Sequence, residues 1–303
     1  MEEDAEEASI EEFEIVGKIG AHIREESRQL INIGEGILDI AQTIEGMIME
    51  EGGKPAFPVN VSINNIAAHY TPEFGDTGTI GEKDVVKIDL GVEINGAISD
   101  TAYTIDLSGE HGKLVEASEK AVERAIQIMK PGTAIGEIGE VVEEVIRGYG
   151  FKPIANLMGH RISTGMLHTG IDIPSIKTDD PYELQVGEIY AVEPFCTDGK
   201  GLVSDSEQVE IFSLHMPGRL RLRESRKLLN YIISNYGMLP FAERWLHKDF
   251  KSNLLLKNAL KEMLRGQVIK AYPVLKEAGG GLVSQTEHTV VIEEEGAKVL
   301  TKE

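Results

Sequence analysis

Segment 85–101 constrains the fold more than any other part of this 303-residue chain. Apolar and polar residues alternate from Val86 to Ile94, which is the two-residue period of a β-strand. The pair Asn95-Gly96 follows, and it favours a type I′ turn because both central residues of that turn need positive φ. The segment therefore predicts a β-hairpin with a two-residue loop.

Two aspartates of this hairpin are predicted to lie on one face. With a loop at 95–96, Ile94 faces Ala97, and Asp89 and Asp100 become diagonal neighbours about 7–8 Å apart. The apolar residues between them point the other way, into the core. Two carboxylates at this separation repel each other unless a cation lies between them. The hairpin alone leaves two interpretations open, namely solvated aspartates or part of a metal site.

Composition limits the kind of protein. A net charge of −21 argues against general nucleic-acid binding, although segment 218–276 holds 13 Lys and Arg against 4 Asp and Glu. The single cysteine, Cys196, cannot form an internal disulfide, and the acidic N-terminus does not resemble a signal peptide. No apolar run is long enough to span a membrane. We therefore expect a cytoplasmic protein that makes no membrane contact.

Helix signals occur in two pairs. Apolar residues at helical spacing predict helices over 9–30 and 37–50, and again over 113–130 and 135–147. Strand-like segments are 56–64, 152–157, 184–195 and 284–293. The repeated order predicts an α+β fold of two structurally related halves, preceded by an acidic tail over residues 1–8.

The basic segment 218–276 interrupts the second predicted half. Its apolar residues recur at helical spacing, as at Leu228 and Ile232 and again at Leu260 and Leu264. We interpret the segment as a small helical subdomain inserted in a surface loop, an arrangement that costs little stability.

Four further residues are candidates for a site that includes the hairpin aspartates. They are His160 after a glycine, His168 in Leu-His-Thr-Gly, Glu193 in Val-Glu-Pro and Glu287 in Thr-Glu-His-Thr. Each alone has an ordinary interpretation, such as a structural histidine or a surface glutamate. With the hairpin aspartates, however, they supply four carboxylates and two imidazoles near strand ends, enough for oxygen-rich ligation with a single imidazole. Such a set suits divalent Co, Mn, Fe or Zn, and two such ions about 3.5–4 Å apart form a hydrolytic site.

These motifs resemble those of the type II, archaeal-type methionine aminopeptidases. The resemblance covers residues 10–302 and rests on the hairpin and on segments 57–62, 67–72, 156–160, 167–170, 191–195 and 287–289. It implies the pita-bread fold, in which two pseudo-symmetric helix-helix-strand halves surround an antiparallel sheet. The catalytic domain would comprise 1–217 and 277–303, with a helical, winged-helix-like insertion over 218–276.

The resemblance also implies a role for each metal ligand. Asp89 would bind one divalent ion, and Asp100 and Glu287 would bridge two. His160 and Glu193 would complete the second ion's site. Which of Co, Mn, Fe(II) or Zn is bound stays open.

Three residues are implied to take part in catalysis. Glu193 would carry a proton from the attacking water to the leaving amine, His168 would stabilise the tetrahedral intermediate, and His69 would lie beside the substrate. In the type II enzymes the histidine that matches His69 is modified by epoxides of the fumagillin type. The residues implied to bind substrate are Phe57, Pro58, His69, Leu167, His168, Phe195 and Tyr272. Without the resemblance, the apolar members of this set are equally well interpreted as ordinary core.

Two positions depart from the family pattern without removing a ligand. Thr286 stands where Phe is more usual, and Met158 stands where a small polar residue is usual. Both are candidates for a change in pocket volume or in the hydrogen bonds that support the ligands. Cys196, three residues after Glu193, is interpreted as a buried structural thiol.

The expected activity is removal of the initiator methionine from nascent proteins with a small second residue, by a metal-activated water. A prolidase-like or Xaa-Pro aminopeptidase activity is one alternative, since those enzymes share the fold and the ligands. The other is a non-catalytic relative associated with the ribosome or RNA, against which the complete ligand set argues. The basic segment leaves a ribosome contact open beside the simpler interpretation of a solvated surface. We expect a monomer.

Overall fold

The computed structural model of the protein describes residues 7–216 and 218–302. Residues 1–6 of the predicted acidic tail lie outside this range. Ala8, the last residue of that tail, donates its backbone N–H to Thr164 Oγ1 at 2.9 Å. Within the described ranges, no helix has both the length and the apolar character needed to cross a membrane.

Groups of helices and runs of consecutive strands follow one another along the chain. The α-helices are α1 (Ile10–Ser27), α2 (Ile37–Glu50), α3 (Gly112–Ile128), α4 (Ile135–Gly148), α5 (Arg223–Asn235), α6 (Glu243–Leu246) and α7 (Asn253–Arg265). The first eight strands are β1 (Lys54–Pro55), β2 (Asn60–Ile63), β3 (Ile66–Ala68), β4 (Val85–Ile94), β5 (Ala97–Asp106), β6 (Lys152–Pro153), β7 (Gly159–Ile162) and β8 (Asp172–Ile173). The remaining strands are β9 (Ile189–Val192), β10 (Phe195–Thr197), β11 (Val203–Leu214), β12 (Phe241–Ala242), β13 (Ile269–Glu277), β14 (Val283–Gln285), β15 (His288–Glu293) and β16 (Gly296–Val299).

The hairpin of β4 and β5 has the predicted register. Ile94 pairs with Ala97, and the antiparallel ladder continues to the far ends of both strands. Asn95 and Gly96 have φ values of 52° and 91°, as a type I′ turn requires. Ile88 is fully buried on the opposite face from the aspartates. The central prediction from the sequence is confirmed.

The four predicted helices of the two halves are also present. The first is shorter than predicted, because residues 28–30 form a turn of 3₁₀ helix after α1 ends. Helix α2 has the predicted bounds. Helices α1 and α2 pack on the hairpin in one hydrophobic core, and α3 and α4 pack on β9 and β15 in another. The predicted arrangement in two halves is therefore confirmed.

The predicted strands are too long. Segment 184–195 contains β9 and the first residue of β10, which are separated at Glu193 and Pro194. Segment 284–293 contains the end of β14 and all of β15, which are separated at Thr286 and Glu287. Only 60–63 and 152–153 are strands within the other two predictions. Proline has no N–H to donate to a ladder, which explains the first break. In both breaks the chain leaves the ladder at a candidate ligand.

Segment 218–276 is helical only in part. Helices α5, α6 and α7 share a core that includes Leu228, Ile232 and Met263. Residues 269–277, however, form β13, which pairs with β11 and β3. The last residues of the predicted helical segment therefore belong to a sheet, and β11 has no counterpart in the predicted strands. The division into a catalytic domain and an insertion at 218–276 stays a prediction.

A buried ion pair ties α6 to the first half. Glu45 on α2 accepts hydrogen bonds from the guanidinium of Arg244, from Trp245 Nε1 at 2.9 Å and from the backbone N–H of Val59 at 3.2 Å. Burial raises the pKa of Glu45, and the charge of Arg244 opposes that rise. Since Val59 precedes β2 in the first half, one carboxylate connects α2, the segment before β2 and α6.

We predict that Arg244→Met lowers the free energy of unfolding by about 3–5 kcal/mol, because Glu45 would keep a buried charge without its partner. Urea denaturation measures the change. The control is Lys298→Gln, which removes the exposed pair with Glu14 and is expected to change stability by about 0–1 kcal/mol. Equal stability of the two variants would contradict the assignment of Glu45 as the buried connection.

Candidate metal centre

The predicted ligands come from five separate segments that meet between the two halves. They are Asp89 on β4, Asp100 on β5, His160 on β7, Glu193 between β9 and β10, and Glu287 between β14 and β15. Because β4 and β5 belong to one half while β7, β9 and β15 belong to another sheet, only the tertiary structure brings the residues together.

Three of these residues form a compact group. Potential ligand atoms of Asp100, His160 and Glu287 all lie within 4.8 Å of one another, and all three side chains are buried. His160 Nε2 is 3.5 Å from Asp100 Oδ2 and 3.5 Å from Glu193 Oε1. Asp89 Oδ2 and Glu193 Oε2 in turn share a neighbour, the amide of Gln285, at 3.5 and 3.4 Å.

The carboxylates lack the partners that buried charges need. Asp89 Oδ1, Asp100 Oδ1 and Glu287 Oε1 are buried and have no hydrogen-bond partner among the described residues. Burial and the charges of neighbouring carboxylates raise the pKa values of Asp89, Glu193 and Glu287 well above their usual range. Unpaired carboxylate oxygens beside one imidazole are a donor set that fits divalent cations.

The backbone around the ligands is fixed by threonines. Thr289 Oγ1 accepts the N–H of Asp100 and donates to its carbonyl, each at 2.7 Å. Thr101 Oγ1 donates to the carbonyl of Glu287 at 2.8 Å. The N–H of Glu287 donates to the carbonyl of Ala102 at 3.0 Å. Strand β5 and the break before β15 are thereby held against each other, so the two candidate bridging carboxylates have fixed positions.

Two further histidines line the cavity beside the group. The ring of His168 lies 4.2 Å from the ring of His160, and burial lowers the pKa of His168 to about 2. His69 has φ of 63°, in the left-handed region that few non-glycine residues adopt. Its Nδ1 donates to the carbonyl of Pro273 at 3.2 Å, and its ring meets Tyr272 edge-on at 5.5 Å. This tautomer leaves the lone pair on Nε2 of a neutral ring.

A cavity of about 210 Å³ adjoins the candidate ligands. Among the residues implied to bind substrate, those that line it are Phe57, His69, Leu167, His168, Phe195 and Tyr272. Pro58 does not line it, but is buried next to Phe57, and its carbonyl accepts a hydrogen bond from Asn60 Nδ2. Gly91 makes room for one wall, since a Cβ there would lie 2.4 Å from the ring of Phe57.

The two departures from the family pattern have different surroundings. Met158 lines the cavity and is 42% exposed, so it is placed to affect the cavity's shape. Thr286 faces away from the cavity and shares a hydrogen bond of 2.9 Å with Ser118 on α3. Cys196 is fully buried, and burial raises the pKa of its thiol to about 12, as expected of a structural thiol.

Two polar residues of the site are absent from the sequence-based predictions. Gln285 donates toward three of the carboxylates, and Asn60 lines the cavity with its buried Oδ1 unpartnered among the described residues. Gln285 precedes Glu287 by two residues, and the two-residue period of a strand puts such residues on one face. That spacing predicts that the side chain of Gln285 lies on the same face as Glu287. The sequence offers no comparable signal for Asn60.

Residues 11–294 match the model of metallopeptidase family M24. The methionine aminopeptidase of Methanocaldococcus jannaschii is 46% identical over 94% of this chain and 96% of the relative. That of Thermococcus onnurineus is also 46% identical, over 94% of this chain and 97% of the relative.

Solved structures show the same fold. A thermophilic Arx1 has a TM-score of 0.86 at 18% identity, covering 97% of this chain and 90% of that one. Thermotoga maritima methionine aminopeptidase has a TM-score of 0.71 at 24% identity, covering 97% and 96%. Pyrococcus furiosus prolidase has a TM-score of 0.62 at 20% identity, covering 97% and 64%. At these identities the likeness concerns the fold alone. Taken with the family match and the nearly full-length relatives, it establishes that the chain belongs to metallopeptidase family M24 and has the pita-bread fold.

Proposed function

We infer that this chain is a methionine aminopeptidase, which removes N-terminal methionine in a metal-dependent hydrolysis. One observation carries the inference: the buried Asp100, His160 and Glu287 offer ligand atoms within 4.8 Å of one another, in a chain 46% identical to named methionine aminopeptidases. The expected substrates are the N-termini of nascent polypeptides with a small second residue.

We propose that two divalent ions bind at this centre. Asp89 would hold one ion, Asp100 and Glu287 would hold both, and His160 with Glu193 would hold the other. The partnerless oxygens of the three carboxylates support this division, because a carboxylate has two oxygens and can bridge, whereas an imidazole nitrogen cannot. Divalent ions bound there would supply Lewis-acid polarisation of the scissile carbonyl and a nucleophilic water at neutral pH. Co, Mn, Fe(II) and Zn all suit the donor set.

The protein's own groups would move the protons. Glu193 is proposed to accept a proton from the attacking water and to give it to the leaving amine, since its carboxylate faces both His160 and Gln285. His168 is proposed to donate a hydrogen bond to the developing oxyanion. His69, which lines the same cavity, would contact the substrate.

The alternatives have weaker support. The prolidase with a similar fold is 20% identical, whereas named methionine aminopeptidases reach 46% over nearly the whole chain. A non-catalytic ribosome- or RNA-associated relative would not need a complete set of buried ligands. We propose a cytoplasmic monomer. A ribosome contact through the basic segment 218–276 would be compatible with the enzymatic function.

The shared ligands provide the first test. Asp100→Asn or Glu287→Gln should lower kcat/KM by about a thousandfold or more, the several kcal/mol that metal polarisation supplies, and should lower the bound metal content. Neither change should unfold the protein, because each removes a charge from a crowded group. Glu293→Gln, at the exposed end of β15, is the control. Full activity of either ligand variant would refute the two-ion assignment.

Substrate choice provides the second test. The apolar cavity wall formed by Phe57, Leu167, Phe195 and Tyr272 suits a polarisable thioether. We expect cleavage of Met-Ala-Ser and not of Ala-Pro-Ala, with Met preferred over Leu at the first position by about tenfold or more. Mass spectrometry of a peptide set, with apo protein reloaded with each divalent ion, measures this. Cleavage of Ala-Pro-Ala would instead favour the prolidase-like activity.

The reactivity of His69 provides a third test. Its Nε2 lone pair is expected to attack a fumagillin-type epoxide carbon, opening the C–O bond to an alkoxide that then takes a proton. Peptide mapping should find one adduct on His69, and His69→Asn should escape labelling. His168 and Cys196 are internal controls, and an adduct on either would show that His69 is not the reactive group.

A further inference from the structure

Gln285 is held in place by its backbone rather than by the carboxylates near it. It ends β14, where it pairs with Phe195 of β10. Its N–H donates to Thr104 Oγ1 at 2.9 Å, and its carbonyl accepts from the same hydroxyl at 2.7 Å. The side chain, which is 1% exposed, therefore leaves a fixed point on the strand toward the metal centre.

The amide of Gln285 meets carboxylates from three different segments. Its Nε2 lies 3.5 Å from Asp89 Oδ2, 3.4 Å from Glu193 Oε2 and 3.4 Å from Glu287 Oε2. An NH₂ group has two hydrogens, so the three oxygens must share them, in accordance with these long distances.

In Asp89 and Glu287, the carboxylate oxygen that Gln285 contacts differs from the oxygen that has no hydrogen-bond partner among the described residues. In Asp89 the amide faces Oδ2, while Oδ1 is the buried oxygen without a partner in the described structure. In Glu287 it faces Oε2, while Oε1 is the oxygen without a partner. The amide thus uses one lone-pair site on one oxygen of each carboxylate, which leaves the other oxygen and the second lone pair of the contacted oxygen available to cations.

An amide is well suited to this position. A lysine here would neutralise the carboxylates and compete with a cation, whereas a glutamate would add a further negative charge to a crowded group. The neutral amide donates hydrogen bonds without adding charge. It can therefore orient the ligands and leave their negative charge for the metal.

We propose that Gln285 is a positioning residue that sets the metal affinity of the centre, by holding one oxygen of Asp89, Glu193 and Glu287 so that their other oxygens converge. The inference rests on the proposed metal-dependent function. Supporting groups of this kind typically account for about 10–100-fold in metal affinity.

The test is titration of apo protein with Mn²⁺, followed by calorimetry and by the metal content after gel filtration. Gln285→Met keeps the length of the side chain and removes the donors, so Mn²⁺ should bind about 10–100-fold more weakly while the apo protein still folds. Gln185→Met is the matched control, because the Gln185 amide donates to a loop carbonyl on the exposed surface. Thr104→Val keeps the amide but releases its backbone, and it should weaken Mn²⁺ binding in the same direction.

The outcomes separate this inference from the proposed function. If the unaltered protein binds no divalent ion, the proposed function fails. If it binds Mn²⁺ and Gln285→Met binds equally well, the positioning role of Gln285 is overturned and the proposed function stands. If Gln285→Met does not fold, Thr104→Val decides, and unchanged Mn²⁺ affinity in that variant overturns the proposal.

Discussion

The repulsion among buried carboxylates is the interaction on which this structure depends. Asp89, Asp100, Glu193 and Glu287 converge beside the cavity, and burial raises the pKa of each above its usual range. Unpaired buried charge is among the least favourable arrangements in a protein. It persists because the surrounding strands hold it, and divalent cations would convert the repulsion into attraction. A fold that brings these groups together is therefore organised for metal binding.

The scaffold resists that repulsion through uncharged contacts. Thr101 and Thr289 connect β5 to the segment of Glu287, and Thr104 connects β5 to Gln285. These hydroxyls satisfy backbone groups where ladders are interrupted, so the ligands can leave the sheet pattern without leaving buried N–H or C=O groups unpaired. The breaks in the strands and the site are thus parts of one arrangement, in which the chain departs from regular pairing to aim carboxylates inward.

The position of the cleft wall depends on a second buried carboxylate, Glu45, whose charge is paired with that of Arg244. Glu45 contacts Arg244 and Trp245 of α6 and the N–H of Val59, next to the segment that contains Phe57. Strand β13, which contains Tyr272, pairs with both β11 and β3. The segment after β11 is therefore anchored to the first half on two sides. This connects the position of the helices in 218–276 to the shape of the cavity.

Local periodicity and turn chemistry are sufficient to predict the hairpin, its register, the two helix pairs and the shared face of Asp89 and Asp100. The sequence motifs also indicated the family and the five ligand types. Long-range packing, in contrast, places Glu287 in a strand break, pairs β11 with β13 and brings Gln285 against three carboxylates. Those features depend on contacts between residues far apart in the chain, such as Gln285 with Asp89, and local pattern carries no information about which distant segment will be the partner.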